Sequence, residues 1–233
     1  MSNISLRLKP QTRAADVVMS HIEAAKVFLI FDIGLGLGES TLTQVAQQHG
    51  LSPEALIDLL HVTTGNEPTQ ASDSHEFINT TLLYLRRSHL HLRNTQIASL
   101  RNAIMEMEAN LPKRYGAMLS RFFDSYICDV DEHFRFEEQT VFPYIEALLK
   151  GKCDNKFKIK DFTANHTNIE QKLHDLKSVL VKHLPIDGLN QLCFSVLTLL
   201  SELEGDLNAH AAIEEAVLTP AVLLLEQKGG GHV

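Results

Sequence analysis

Asp129-Val-Asp-Glu-His133-Phe-Arg-Phe-Glu137-Glu138-Gln-Thr-Val141-Phe-Pro143 is said a second time further along the chain. The second passage is Asp206-Leu-Asn-Ala-His210-Ala-Ala-Ile-Glu214-Glu215-Ala-Val-Leu218-Thr-Pro220. Asp, His, Glu, Glu, an aliphatic residue and Pro fall in one register in both. A spacing of four places each His and its Glu one turn apart on one face of a helix. That face is otherwise apolar. It runs Tyr115, Leu119, Phe122, Tyr126, Val130, His133, Glu137, Val141, Tyr144, Leu148 in the first copy. In the second it runs Val196, Leu200, Leu203, Leu207, His210, Glu214, Val217, Ala221. Ionisable groups in a core-facing seam are costly unless a bound cation compensates them.

Two further histidines extend the pattern. His89 precedes His133 by 44 residues, and His166 precedes His210 by the same 44. Each interval contains a turn near its middle, Asn110-Leu111-Pro112 in one and Pro185-Ile-Asp-Gly188 in the other. Equal helical distances out to a turn and back bring the two histidines of each pair to one level. The expected fold class is therefore all-α, an antiparallel four-helix bundle preceded by a small helical domain. The expected metal ligands are His89, His133, Glu137, His166, His210 and Glu214. Glu170 lies four residues after His166 and repeats the spacing a third time. It reads as a seventh ligand or as a carboxylate beside an open coordination position, with ligation favoured.

Four imidazoles and two carboxylates without a thiolate suit Fe or Mn, with Zn as an alternative. Carboxylates able to bridge point to two ions rather than one. Glu138 and Glu215 rotate off the seam and read as solvated salt-bridge partners. Asp129 and Asp206 read equally as orienting partners of the imidazoles or as polar surface.

Around this centre the chain divides into residues 1–72, 73–227 and a disordered tail over 228–233. After a loose leader to Pro10, one amphipathic helix is expected from Thr12 to about Phe31, with Val17, Val18, Ile22, Ala25 and Leu29 on one side. The glycines of Asp32-Ile-Gly-Leu-Gly-Leu-Gly38 end it. Ser40 or Thr41 then caps a short helix to Gly50, and Ser52-Pro53-Glu54 opens another to His61. Residues 62–74 form a polar linker. The bundle helices are expected near 75–107, 113–150, 161–183 and 188–227, with Pro143 and Pro220 loosening two of them.

A net charge of −8 on 233 residues argues against a general nucleic-acid footprint. The helix–turn–helix look of residues 41–61 does not reverse that, because Ala55 to Leu60 carries no Arg or Lys and includes acidic Asp58. Three cysteines without a Cys-x-x-Cys fit reduced thiols. The polar amino terminus and short apolar runs suggest neither a signal peptide nor a membrane span. A cytoplasmic location is expected.

Residues 75–227 resemble the hemerythrin-like (His-His-Glu) cation-binding domain, through His89, His133-x-x-x-Glu137-Glu138 with Phe142-Pro143, His166, and His210-x-x-x-Glu214-Glu215 with Pro220. The resemblance implies a non-haem centre of two Fe ions, bridged by Glu137 and Glu214. Glu170 stands where hemerythrin itself carries a His. Residues 25–60 look like the short helical domain preceding the bundle in proteins that repair iron–sulfur centres, through Phe28, Asp32-Ile33, Gly38, Thr41-Leu42 and Gly50-Leu51. That family's adjacent Cys-Cys is replaced by Leu35-Gly36-Leu37. The implied function is handling of iron or of O2, NO or peroxide in oxidative or nitrosative stress, including iron–sulfur centre repair. Two other roles stay open. One is a sensor signalling through the amino-terminal domain to a protein partner; the other is a small oxidase or peroxide-consuming enzyme. No oligomeric state follows from the sequence.

Overall fold

Local chemistry starts the short helices where the sequence places them. In the computed structural model, which describes residues 8–152, 157–162, 166–185 and 187–229, Thr41 caps its helix through a reciprocal pair with Gln44. Ser52 accepts from the Ala55 N–H, with Pro53 at the first helical position where its missing N–H costs nothing. The helices are α1 (Ala14–Ser20), α2 (Ala24–Ile30), α3 (Leu42–Gln48), α4 (Pro53–Thr63), α5 (His75–His91), α6 (Ala98–Asn110), α7 (Lys113–Phe136), α8 (Phe142–Leu149), α9 (His166–Lys182), α10 (Asn190–Ile213) and α11 (Thr219–Gly229). No strand occurs among the described residues, and Arg13 and Thr41 form an isolated bridge. The described residues thus form an all-α fold, as expected.

The first expected helix is two. His21 leaves helical geometry at φ −139° and ψ 97°, which ends α1. The break rotates α2 relative to α1, so Ala14, Val17, Ala24, Val27 and Phe28 are buried. Ile22 and Leu29, expected inward, are 72% and 58% exposed. An uninterrupted 3.6-residue period was the wrong ruler across that junction.

The chain forms two compact units, one of Met1–Ser88, Val141–Thr163 and Ala209–Val233, the other of His89–Thr140 and Ala164–Asn208. In the first, Val17, Phe28, Leu42, Leu56 and Leu60 of α1 to α4 share one core with Phe77, Ile78, Leu85, Phe142, Ile213 and Val217. The helix-capping Ser52 is fixed there as well, its N–H donating to Thr80 Oγ1 at 2.9 Å. Asp58 is 1% exposed and accepts from the backbone and hydroxyl of Thr69, both at 2.8 Å. It therefore anchors the polar stretch after α4 rather than lending charge to the surface.

In the second unit α6, α7, α9 and the first part of α10 enclose Leu100, Ile104, Phe123, Tyr126, Val130, Leu173, Leu176, Val196, Leu200 and Leu203. Each such large side chain contributes about 1.5–3 kcal/mol by leaving water. Leu111-Pro112 turns α6 into α7, and Gly116 lets the two backbones approach. A Cβ there would stand 2.7 Å from the Glu108 carbonyl oxygen. Lys177 and Glu204 tie α9 to α10 at 2.6 Å, and Lys172 pairs with Asp129 between α9 and α7.

The prolines loosen their helices in a specific way. π-turns occupy Glu137–Val141 and Glu214–Leu218, just before Phe142-Pro143 and Thr219-Pro220. A helical proline ring clashes with the carbonyl four residues back, here that of Gln139 or Ala216, and a wider turn relieves the clash. A third π-turn, Leu92–Ile97, joins α5 to α6, and the five-residue step buries both Leu92 and Ile97. Asp161 and Phe162, expected to open the third bundle helix, belong to a 3-10 turn, Ile159–Phe162. Lys228 and Gly229 complete α11, and residues 230–233 of the expected tail lie outside the described residues, as does Cys153.

Candidate metal centre

The His-x-x-x-Glu spacing does locally what helical geometry requires. In the unit that holds α7, His133 Nε2 lies 2.8 Å from Glu137 Oε1. His89, at the end of α5, brings its Nε2 to 2.9 Å from the other oxygen, Oε2. One fully buried carboxylate thus faces two imidazoles, one on each oxygen. Each imidazole–carboxylate pair has a spacing a metal ion can join.

His89 is positioned from three sides. Its Nδ1 is 2.9 Å from Glu138 Oε1, and that same oxygen accepts from Arg93 Nη1 at 3.1 Å. Arg93 also donates through Nε to Asp131 at 3.0 Å. The imidazole stacks on the Phe134 ring with centroids 4.0 Å apart and planes inclined by 19°. A carboxylate only accepts, so Nδ1 carries a hydrogen, and Nε2 is the nitrogen left to share a cation with Glu137.

In the other unit His210, 3% exposed, places Nε2 3.2 Å from Glu214 Oε1, and Glu214 is 1% exposed. Ser88 Oγ is 2.8 Å from His210 Nδ1. Glu214 opens the π-turn on which α4 packs.

These residues fit a metal by the chemistry of the donor set. A nitrogen lone pair and a carboxylate oxygen approach so closely, away from water, only with positive charge between them, a proton or a metal ion. Nitrogen and oxygen donors without thiolate match Fe, Mn or Zn, in line with the ligand types that the spacing singles out.

Of the seven expected ligands, His89, His133 and Glu137 are brought together in one unit, and His210 and Glu214 in the other. His166 opens α9, and its side chain lies outside the described residues. Glu170 is exposed on α9 and joins no potential metal-holding group among the described residues. Glu138, expected as a solvated salt-bridge partner, does pair with Arg93 and also holds His89, because the step off its own seam aims it at α5. Glu215, its counterpart, is exposed as expected. Asp129 pairs with Lys172, and Asp206 accepts from Gln96. Sequence reasoning missed Ser88, Arg93 and Phe134 altogether. Recurrence of the second Glu in both motif copies was the signal for Glu138, whereas Ser88 has no periodic mark beyond standing next to His89.

Residues 80–229, more than half of the chain, match the Hemerythrin HHE cation binding domain, and the chain belongs to that family. No curated protein matches it. None of the described helices is long and apolar enough to cross a membrane.

Proposed function

We propose that His89, His133, Glu137, His166, His210 and Glu214 hold two Fe ions as one non-haem di-iron centre, with Glu137 and Glu214 as bridges. Glu170 stays outside this set because it is exposed. The observation that carries the reading is Glu137, a fully buried carboxylate with an imidazole nitrogen within 3 Å of each oxygen. Iron so held would supply a one-electron couple for reaction with O2, NO or peroxide. The chain's own part is to keep the imidazoles turned with Nε2 inward, to exclude bulk water with the apolar seam, and to fix the charge on the carboxylates. The biological setting is a cytoplasmic response to oxidative or nitrosative stress, including repair of iron–sulfur centres. The ligand is a small molecule rather than nucleic acid, since α4 offers no Arg or Lys between Ala55 and Leu60.

Iron-loaded protein exposed to O2, NO and peroxide in turn tests this by its optical and electron-paramagnetic spectra. At least one of the three should change the spectrum, and Glu137→Ala should abolish the change. An iron-loaded parent indifferent to all three would refute the reading.

One observation favours a sensor as the second reading. Helices α1 to α4 share a core with the segment bearing His210 and Glu214, and α4 packs directly on the π-turn that Glu214 opens. A shift at Glu214 would then reach the amino-terminal helices and a protein partner bound there. Hydrogen exchange of residues 14–63 should change on NO or O2 binding under this reading, and unchanged exchange would exclude it.

A further inference from the structure

Ser88 stands beside the ligand His89 in sequence but serves a different imidazole. Its side chain is buried, and its hydroxyl donates to the Leu85 carbonyl at 2.7 Å. A serine hydroxyl has one hydrogen, and here the Leu85 carbonyl takes it. Towards His210 Nδ1, 2.8 Å away, the Ser88 oxygen is therefore left to accept. A ring hydrogen must therefore lie on Nδ1, and Nε2 is the nitrogen left to share a cation with Glu214 Oε1, 3.2 Å away. A helix carbonyl thus selects, through one hydroxyl, which nitrogen of His210 is offered.

We propose that Ser88 is the positioning residue of His210, holding it as the Nδ1–H tautomer with Nε2 presented for metal. This deepens, and rests on, the reading of His210 as an iron ligand. It also makes the imidazoles of His89 and His210 unequal. His89 is backed by a carboxylate braced by Arg93, and His210 by a neutral hydroxyl braced by a backbone carbonyl. A carboxylate partner makes an imidazole the stronger electron donor, so His210 is the weaker ligand of the two. It depends more on being held in the right tautomer.

The test uses the full chain, first without metal. With 15N-labelled histidine, and His210→Gln to assign the signal, the parent should show an exchange-protected Nδ1–H for His210. Ser88→Ala should lose that signature, and Ser88→Thr, which keeps the hydroxyl, should retain it. The second arm is anaerobic Fe(II) affinity by chelator competition. Ser88→Ala should bind about 10–100-fold more weakly, and Ser88→Thr close to the parent. An Nδ1–H unchanged in Ser88→Ala overturns the proposal, as does a lost tautomer with unchanged Fe(II) affinity. If the parent bound no Fe(II) while its tautomer still depended on Ser88, the positioning role would be supported and the iron reading refuted.

Discussion

Tyr126 shows at the scale of one residue how burial without a partner shapes behaviour. Its side chain is fully buried in the core of α6, α7, α9 and α10, and among the described residues no atom hydrogen-bonds its hydroxyl. Burial first, and the charge of Glu204 second, push the phenol well above its ordinary value of 10.0. The folded chain then keeps a proton that the unfolded chain releases. That contribution to stability is complete below pH 10 and is lost as the pH climbs towards the raised value. Tyr126→Phe removes both the buried hydroxyl and the linkage. It is expected to be about 1 kcal/mol more stable at neutral pH and to lose less stability above pH 10. Urea unfolding at pH 7 and pH 10.5 measures this, and a less stable variant at pH 7 would contradict it. The histidines and glutamates were legible because they interrupt an apolar seam at a fixed period. Glu138 and Ser88 were not, since their roles depend on which neighbouring helix they face, and one chain's periodicity does not encode that.

Among elements, the hairpin of α6 and α7 shows what spacing can and cannot foretell. Asn110-Leu111-Pro112 announced the turn: α6 ends at Asn110 and α7 begins at Lys113, close to the expected 107 and 113. Gly116 gave no comparable sign, yet it governs how near the helices lie. Gly116→Ala would put its methyl 2.7 Å from the Glu108 carbonyl oxygen, which belongs to rigid helix backbone. The helices must part, at a cost of about 1–3 kcal/mol in spite of alanine's better helix propensity. Thermal unfolding should show the loss, and an unchanged or raised Tm would mean that the crossing yields freely. The π-turns were half legible: Pro143 and Pro220 signalled disturbed helices, but not that the disturbance would begin on Glu137 and Glu214. The break at His21 had no signal in composition, because no Gly or Pro marks it.

For the whole molecule, membership of the hemerythrin HHE family and the all-α fold were both legible, because the motif is doubled and the intervals match. The sharing of a core between α1 to α4 and parts of α5, α8 and the α10–α11 region was not. A polar stretch at residues 62–74 reads as a linker whether or not it is pinned; here Asp58 holds Thr69 and Lys228 pairs with Asp73. The central claim is that the repeated His/Glu sets make one di-iron centre. A metal that binds only the folded state adds to its stability, so iron should also raise Tm. The direct measurement is metal content after anaerobic loading with Fe(II) and removal of loosely bound ions. The account predicts about two irons per chain, falling below one in His133→Ala combined with His210→Ala. Less than one iron per loaded parent chain, or two irons kept by the double variant, would contradict it.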